Sequence, residues 1–185
     1  MGHYIRLIDG SVFDFATLEF NMGIEGLSHA LSQINRYTGH TPKPYSVAQH
    51  SVVVSRYLDL NPLISMRGLL HDAHEAFIGD MSTPLKRALP PAVRAAFATL
   101  ADDIDRKIFK AFDLPAELDA ESDFVKHADQ VALATELRDL LRSPPEDRLG
   151  LPPAHHECIR PWPAKRAARE FAARFHMLRD LVRNV

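Results

Sequence analysis

Proline placement does most to constrain what this chain can fold into. The 185 residues carry thirteen prolines. They fall at the edges of helix-patterned stretches, whereas inside a helix each would remove a hydrogen bond and collide with the preceding turn. Pro42 and Pro44 share the loop 37–45 with Gly39. Pro62 follows Asn61, in the favoured first helical position. Pro84 interrupts the stretch after Gly79, and Pro90-Pro91 opens a long helix that reaches Phe112. Six prolines between 143 and 163 make that segment a loop, and Pro163 opens a last helix.

The stretches between these marks read as helices. Gly26 to Arg36 places Leu27, Leu31 and Ile34 on one stripe. Ser46 followed three residues on by Gln49 is a capping box that starts a helix running to about Asp59. Asn61 caps a helix expected to continue to about Ile78, where Gly79 supplies the stop. Another covers about Asp119 to Arg142, and the last carries a core stripe of Phe171, Phe175, Leu178 and Val182. The single strand-pair signal is Asp9-Gly10 between two β-prone runs in residues 4–15. The expected fold is all-α, a bundle of five to seven helices with a small N-terminal hairpin. One domain is expected over 1–185: an arm at 1–25, a helical core at 26–142, and a Pro-rich loop with a C-terminal helix at 143–185.

Charge and composition narrow the function classes. Twenty-two Lys and Arg against 24 Asp and Glu give a net charge of -2, unlike the basic footprint of a nucleic-acid-binding domain. No apolar run approaches membrane-spanning length. The N-terminus has neither a signal-peptide core nor a myristoylation pattern, since Arg6 stands where Ser or Thr is needed. The single Cys158 reads as an inert thiol of a soluble cytoplasmic protein.

The chemistry concentrates in Arg67 to Lys86. His71, Asp72, His74 and Glu75 stand among Leu69, Leu70, Ala73 and Phe77, and polar groups on an apolar helix are costly to bury unless they bind something. On a regular helix His71 and Glu75 would project about 40° apart, with Asp72 about 60° from Glu75. Imidazole nitrogen with carboxylate oxygen is a transition-metal or magnesium donor set. Two adjacent ligands are incomplete, and His50 and Asp129, each on its own helix, could complete an N₂O₂ set from three helices. The alternatives are a hydrogen-bonded core histidine and a capping aspartate. The zinc-protease H-E-x-x-H helix is excluded, because Ile78 stands where the second His would fall.

The order His50, His71-Asp72, Asp129 resembles the H…HD…D signature of the HD-domain metal-dependent phosphohydrolases. The run H-D-A-H-E-A-F-I-G-D-M-S-T-P-L-K is similar to the corresponding segment of the bacterial 5′-deoxynucleotidases of that superfamily. The resemblance covers about residues 26–140 and implies an all-helical HD-domain fold. It also implies one divalent metal (Co, Mn, Zn, Fe, Ni or Mg) on His50, His71, Asp72 and Asp129. Glu75 would polarise or deprotonate the attacking water, and Asp80 would contact the sugar or align water and leaving group. Lys86 would hold the phosphate, and Arg36-Tyr37 occupies the slot of an Arg-aromatic substrate contact, with Tyr where well-known members have Trp.

What the resemblance implies is a small-molecule nucleotide substrate, with a deoxynucleoside monophosphate expected first. A triphosphohydrolase on the same scaffold and a non-catalytic metal- or nucleotide-binding module are the alternatives. No nucleic-acid polymer or membrane is expected as partner. A homodimer could use the Phe175 and Leu178 stripe. His74 stands where other members often have a small residue and could support a metal ligand from behind, contact the phosphate or lie at the surface, the last two being favoured. His40, Lys43 and Tyr45 could line the mouth of the pocket, with no role assigned.

Overall fold

The Asp9-Gly10 turn closes the predicted hairpin. In the computed structural model, which describes residues 2–59, 61–114, 123–141, 143 and 150–183, β1 (Tyr4–Arg6) pairs antiparallel with β2 (Val12–Asp14), Ile5 opposite Phe13. The Asp9 carboxylate accepts from the Ser11 amide and hydroxyl and so holds the turn. The hairpin is anchored through Phe13, which is fully buried and stacks on Phe77 with ring centroids 4.2 Å apart. Burying a ring of that size is worth about 1.5–3 kcal/mol, and it fixes the short helix that bears Phe77.

The rest of the described chain is helical: α1 (Ile24–Gln33), α2 (Val47–Arg56), α3 (Pro62–Leu70), α4 (Glu75–Ile78), α5 (Thr83–Ala88), α6 (Pro91–Ala111), α7 (Asp123–Asp139) and α8 (Ala164–Val182). Six of these have nine residues or more and make the expected bundle; α4 and α5 are short pieces at the site. Of the helix expected over 119–142, residues 119–122 and 142 lie outside the described residues, as do 144–149 of the Pro-rich segment. Pro84 lies in the first turn of α5, so it starts that helix instead of interrupting one.

Most of α2 is buried, with α8, α3, α1 and α7 packed around it. Gly68 permits the approach of α3 to α2, since a Cβ there would lie 2.6 Å from Leu58 and 3.4 Å from the Ser55 backbone. On α8 the predicted stripe is core: Phe171, Phe175 and Leu178 are at most 2% exposed, packed within this chain, and Val182 is half-buried. Those side chains are therefore spent inside the chain and not free for the dimer contact suggested above. No described helix is long and apolar enough to cross a membrane.

Two sequence expectations change in instructive ways. Ser46 accepts from the Gln49 amide as a cap should, but the Gln49 side chain does not reach back. It takes the Arg160 carbonyl at 2.8 Å and the Trp162 amide at 2.7 Å, tying the Pro-rich segment to α2. The single helix expected from Asn61 to Ile78 is divided into α3 and α4. Asn61 caps it as predicted, through the Leu63 and Ile64 amides. At the division, the His71 ring donates from Nδ1 to the Gly68 carbonyl at 2.8 Å, and the His74 amide donates to Asp105 on α6 at 3.1 Å. The backbone tightens to three-residue steps, Ala73 to Leu70 and Glu75 to Asp72, the 3₁₀ pattern in which residues three apart align. Gly79 ends α4 at φ 78, ψ 163, a conformation open essentially to glycine alone.

Candidate metal centre

Two helices and the tightened turn bring His50, His71, Asp72 and Asp129 together. His50 Nε2 lies 3.3 Å from His71 Nε2, 3.1 Å from Asp129 Oδ1 and 3.7 Å from Asp72 Oδ2. His71 Nε2 lies 3.1 Å from Asp72 Oδ2 and 3.9 Å from Asp129 Oδ1. Atoms bound to one transition-metal ion, each about 2.1 Å from it, sit about 3.0–3.4 Å from their nearest neighbours. The observed spacings straddle that range, and His50, His71 and Asp72 alone form a group able to hold an ion.

The tautomers point the same way. His50 faces Glu136 Oε1 through Nδ1 at 2.7 Å, and His71 faces the Gly68 carbonyl through Nδ1. With a proton on each Nδ1, both Nε2 lone pairs face the two carboxylates. Ligating histidines are commonly oriented in this way. Despite their burial, Asp72 is held well below the usual carboxylate range by His71, His50 and Arg36, and Asp129 is lowered by His50 and His71. Burial and Arg36 disfavour a charged His50, yet Glu136 and Asp129 offset them and raise it to about 9. The donor set therefore fits a divalent metal. His50 is fully buried while Asp129 is 41% exposed, so the cluster opens to solvent on the α7 side.

Glu136 was missed by sequence reasoning. It lies on α7 seven residues after Asp129, about 20° short of two full turns, and this shared face was the available signal. Fully buried, it accepts from His50, from Arg36 Nε at 3.3 Å, and from the hydroxyls of Tyr37 and of Tyr45 at 2.9 Å. Burial opposes its charge, but Arg36 and His50 win and hold the carboxyl at about 2. Tyr45, a candidate for the pocket mouth, is fully buried on Glu136, whereas His40 and Lys43 are exposed. Arg36 and Tyr37 do reach the cluster. Tyr37 sits at φ 56 on a left-handed turn with its hydroxyl on Glu136, and Arg36 bridges Glu136 to Asp72, 3.6 Å away.

Glu75 is 2% exposed and its Oε2 has no hydrogen-bond partner. Burial, with Asp72 and Asp80 nearby, pushes its carboxyl up to about 10. Burial likewise raises Asp80. Lys86 is half-buried on α5, its Nζ 5.8 Å from the centre of the Phe97 ring, close enough for its charge to act on Glu75 and Asp80. His74 is not a surface residue: it is 8% exposed, with Nδ1 3.0 Å from Asp105 Oδ2. Asp105 is the second group not singled out in sequence, since nothing local marks a mid-helix aspartate as facing inward. A cleft of about 750 Å³ lies between α2 and residues 155–162 and is lined by none of these site residues.

No family model matches the chain. It is 35% identical over 138 residues to the uncharacterized protein YfdR of Escherichia coli, the match covering 74% of this chain and 72% of that protein. It is 32% identical over 190 aligned positions to the uncharacterized protein RCAP_rcc00048 of Rhodobacter capsulatus, covering 84% of this chain and 95% of that protein.

Proposed function

We propose, for a chain that belongs to the family of YfdR and RCAP_rcc00048, a metal-dependent phosphohydrolase activity of the HD-domain type, releasing phosphate from deoxynucleoside 5′-monophosphates. The observation that carries this reading is the convergence of two imidazole Nε2 atoms, each with its Nδ1 tied back, on two carboxylates at 3.1–3.9 Å. Metal binding is the function such a set serves best, and the pocket around it supplies the remaining parts of a hydrolase.

His50, His71, Asp72 and Asp129 would hold the divalent cation, which when bound would supply acidity to a solvent molecule and withdraw charge from a phosphoryl oxygen. The chain's own groups do the rest. Glu75 would take the proton of the attacking water; Arg36 and Lys86 oppose the burial and the two carboxylates that raise it, and a bound cation would act in the same direction. Lys86 meets the phosphate as a point charge, and Arg36 keeps Asp72 and Glu136 in register. Asp80, beside Glu75 and Lys86, faces the ester oxygen or sugar. Water adds at phosphorus, the bond to the 5′ oxygen breaks, and that oxygen leaves with a proton.

Phosphate release from deoxynucleoside mono-, di- and triphosphates with Mn²⁺, Co²⁺, Zn²⁺ and Mg²⁺ tests this reading. The expected result is phosphate and deoxynucleoside from the monophosphates. Triphosphate released from dATP alone would transfer the reading to a triphosphohydrolase, and bound metal without turnover would leave a binding module. Glu75→Gln is expected to keep the ion held by His50, His71, Asp72 and Asp129 and to lose at least about 100-fold in turnover. Undiminished turnover would remove Glu75 from its role.

A further inference from the structure

The tightened turn between α3 and α4 makes a second convergence beside the first. Ligand atoms of Asp72, His74 and Glu75 all lie within 4.8 Å of one another. Glu75 has a feature that hydrogen bonding within the chain leaves unexplained. Glu75 is 98% buried with Oε2 unpartnered, and among the described residues no ion pair reaches it. His74 is gripped twice by Asp105, at the backbone amide (3.1 Å) and at Nδ1 (3.0 Å), so Nε2 is the nitrogen left to ligate. A carboxylate behind a buried imidazole is the arrangement that orients metal-ligating histidines. Asp72 already belongs to the His50–His71 group and offers two oxygens.

We propose that Asp72, His74 and Glu75 form a second divalent-cation site that shares the Asp72 carboxylate with the first. The donors, one imidazole and two carboxylates, suit Mn²⁺, Co²⁺, Fe²⁺ or Zn²⁺ and exclude a site built on soft ligands. A shared carboxylate places two ions about 3.5–4 Å apart, the spacing of two-metal phosphate chemistry. The proposal rests on the reading of this pocket as a metal centre and is independent of which phosphate ester it cleaves.

The test is Mn²⁺ titration of the chelator-stripped full chain, with stoichiometry from calorimetry and elemental analysis, and electron paramagnetic resonance at saturation. The wild type is expected to bind two Mn²⁺ per chain and give a spin-coupled spectrum. His74→Ala is expected to bind one and give an uncoupled signal. A wild type that saturates at one Mn²⁺ overturns the second site and leaves the first, Glu75 then holding a proton. A wild type that binds none overturns the metal-centre reading itself. A folded His74→Ala variant that still holds two would also refute the proposal, and because the wild type decides on its own, a variant that fails to fold rescues nothing.

Discussion

Replacing Glu136 by Gln tests how the chain holds its metal ligands, because this one carboxylate is the anchor behind His50. Its Oε1 accepts from His50 and Tyr45, and its Oε2 accepts from Tyr37 and Arg36. A glutamine has one acceptor and one donor end. If the amide oxygen serves His50, the NH₂ is thrust against the Arg36 guanidinium; if the amide is turned over, His50 loses its acceptor. Either way a buried cation or a buried imidazole is left unpaired. The carboxyl lies at about 2 instead of the usual 4.5, and at about 1.4 kcal/mol per pH unit that depression corresponds to about 3 kcal/mol of folding free energy. Because the folded-state value is the lower one, the contribution is complete above pH 4.5 and disappears as pH falls from there toward 2. Urea denaturation in the presence of chelator should find Glu136→Gln about 3 kcal/mol less stable at pH 7, with the gap narrowing through that acid window. Calorimetry should find metal affinity reduced about 10–100-fold. A variant as stable as wild type at pH 7, or a gap indifferent to pH, would refute the assignment of Glu136 as the charged support of His50 and Arg36.

Other substitutions separate the remaining roles. Asp129→Ala should abolish tight metal binding and activity with little loss of stability, since this side chain is 41% exposed; elemental analysis and a thermal melt check both. Lys86→Ala should raise KM about tenfold or more while leaving metal content unchanged, and an unaltered KM would end its role as a phosphate contact. Gly79→Ala forces a side chain into φ 78, ψ 163, at a cost of about 1–3 kcal/mol measured by denaturation.

The fold was largely legible because its punctuation is local. Ser46, Asn61-Pro62, Gly79 and Pro90-Pro91 each act on backbone groups within a few residues, and helices begin or end at each of them. The break inside the expected Asn61–Ile78 helix was not legible, because what divides it is not local. The amide of His74 leaves the helical ladder for a carboxylate thirty-one residues away on α6. No periodicity rule sees a competitor for a backbone hydrogen bond that arrives from another helix.

The same division applies to the site, and there it has a physical consequence. His50, His71, Asp72, Glu75 and Asp129 are recognisable because their chemistry resides in residue type and spacing. Glu136, Asp105 and Tyr45 act only through what they touch: Glu136 fixes His50, Asp105 fixes His74, and Tyr45 occupies Glu136. Each of these supporting groups comes from an element remote in sequence from the residue it supports, so the ligand geometry is set by helix packing and not by the H-D run itself. An isolated peptide carrying residues 67–86 would have the ligating side chains of His71 and Asp72 but neither His50 with its Glu136 support nor Asp105 to direct the imidazole of His74. The tautomer of each buried histidine is thereby coupled to the docking of α7 and α6 against the helices that bear the ligands, and loosening either contact should weaken metal binding before it unfolds the bundle.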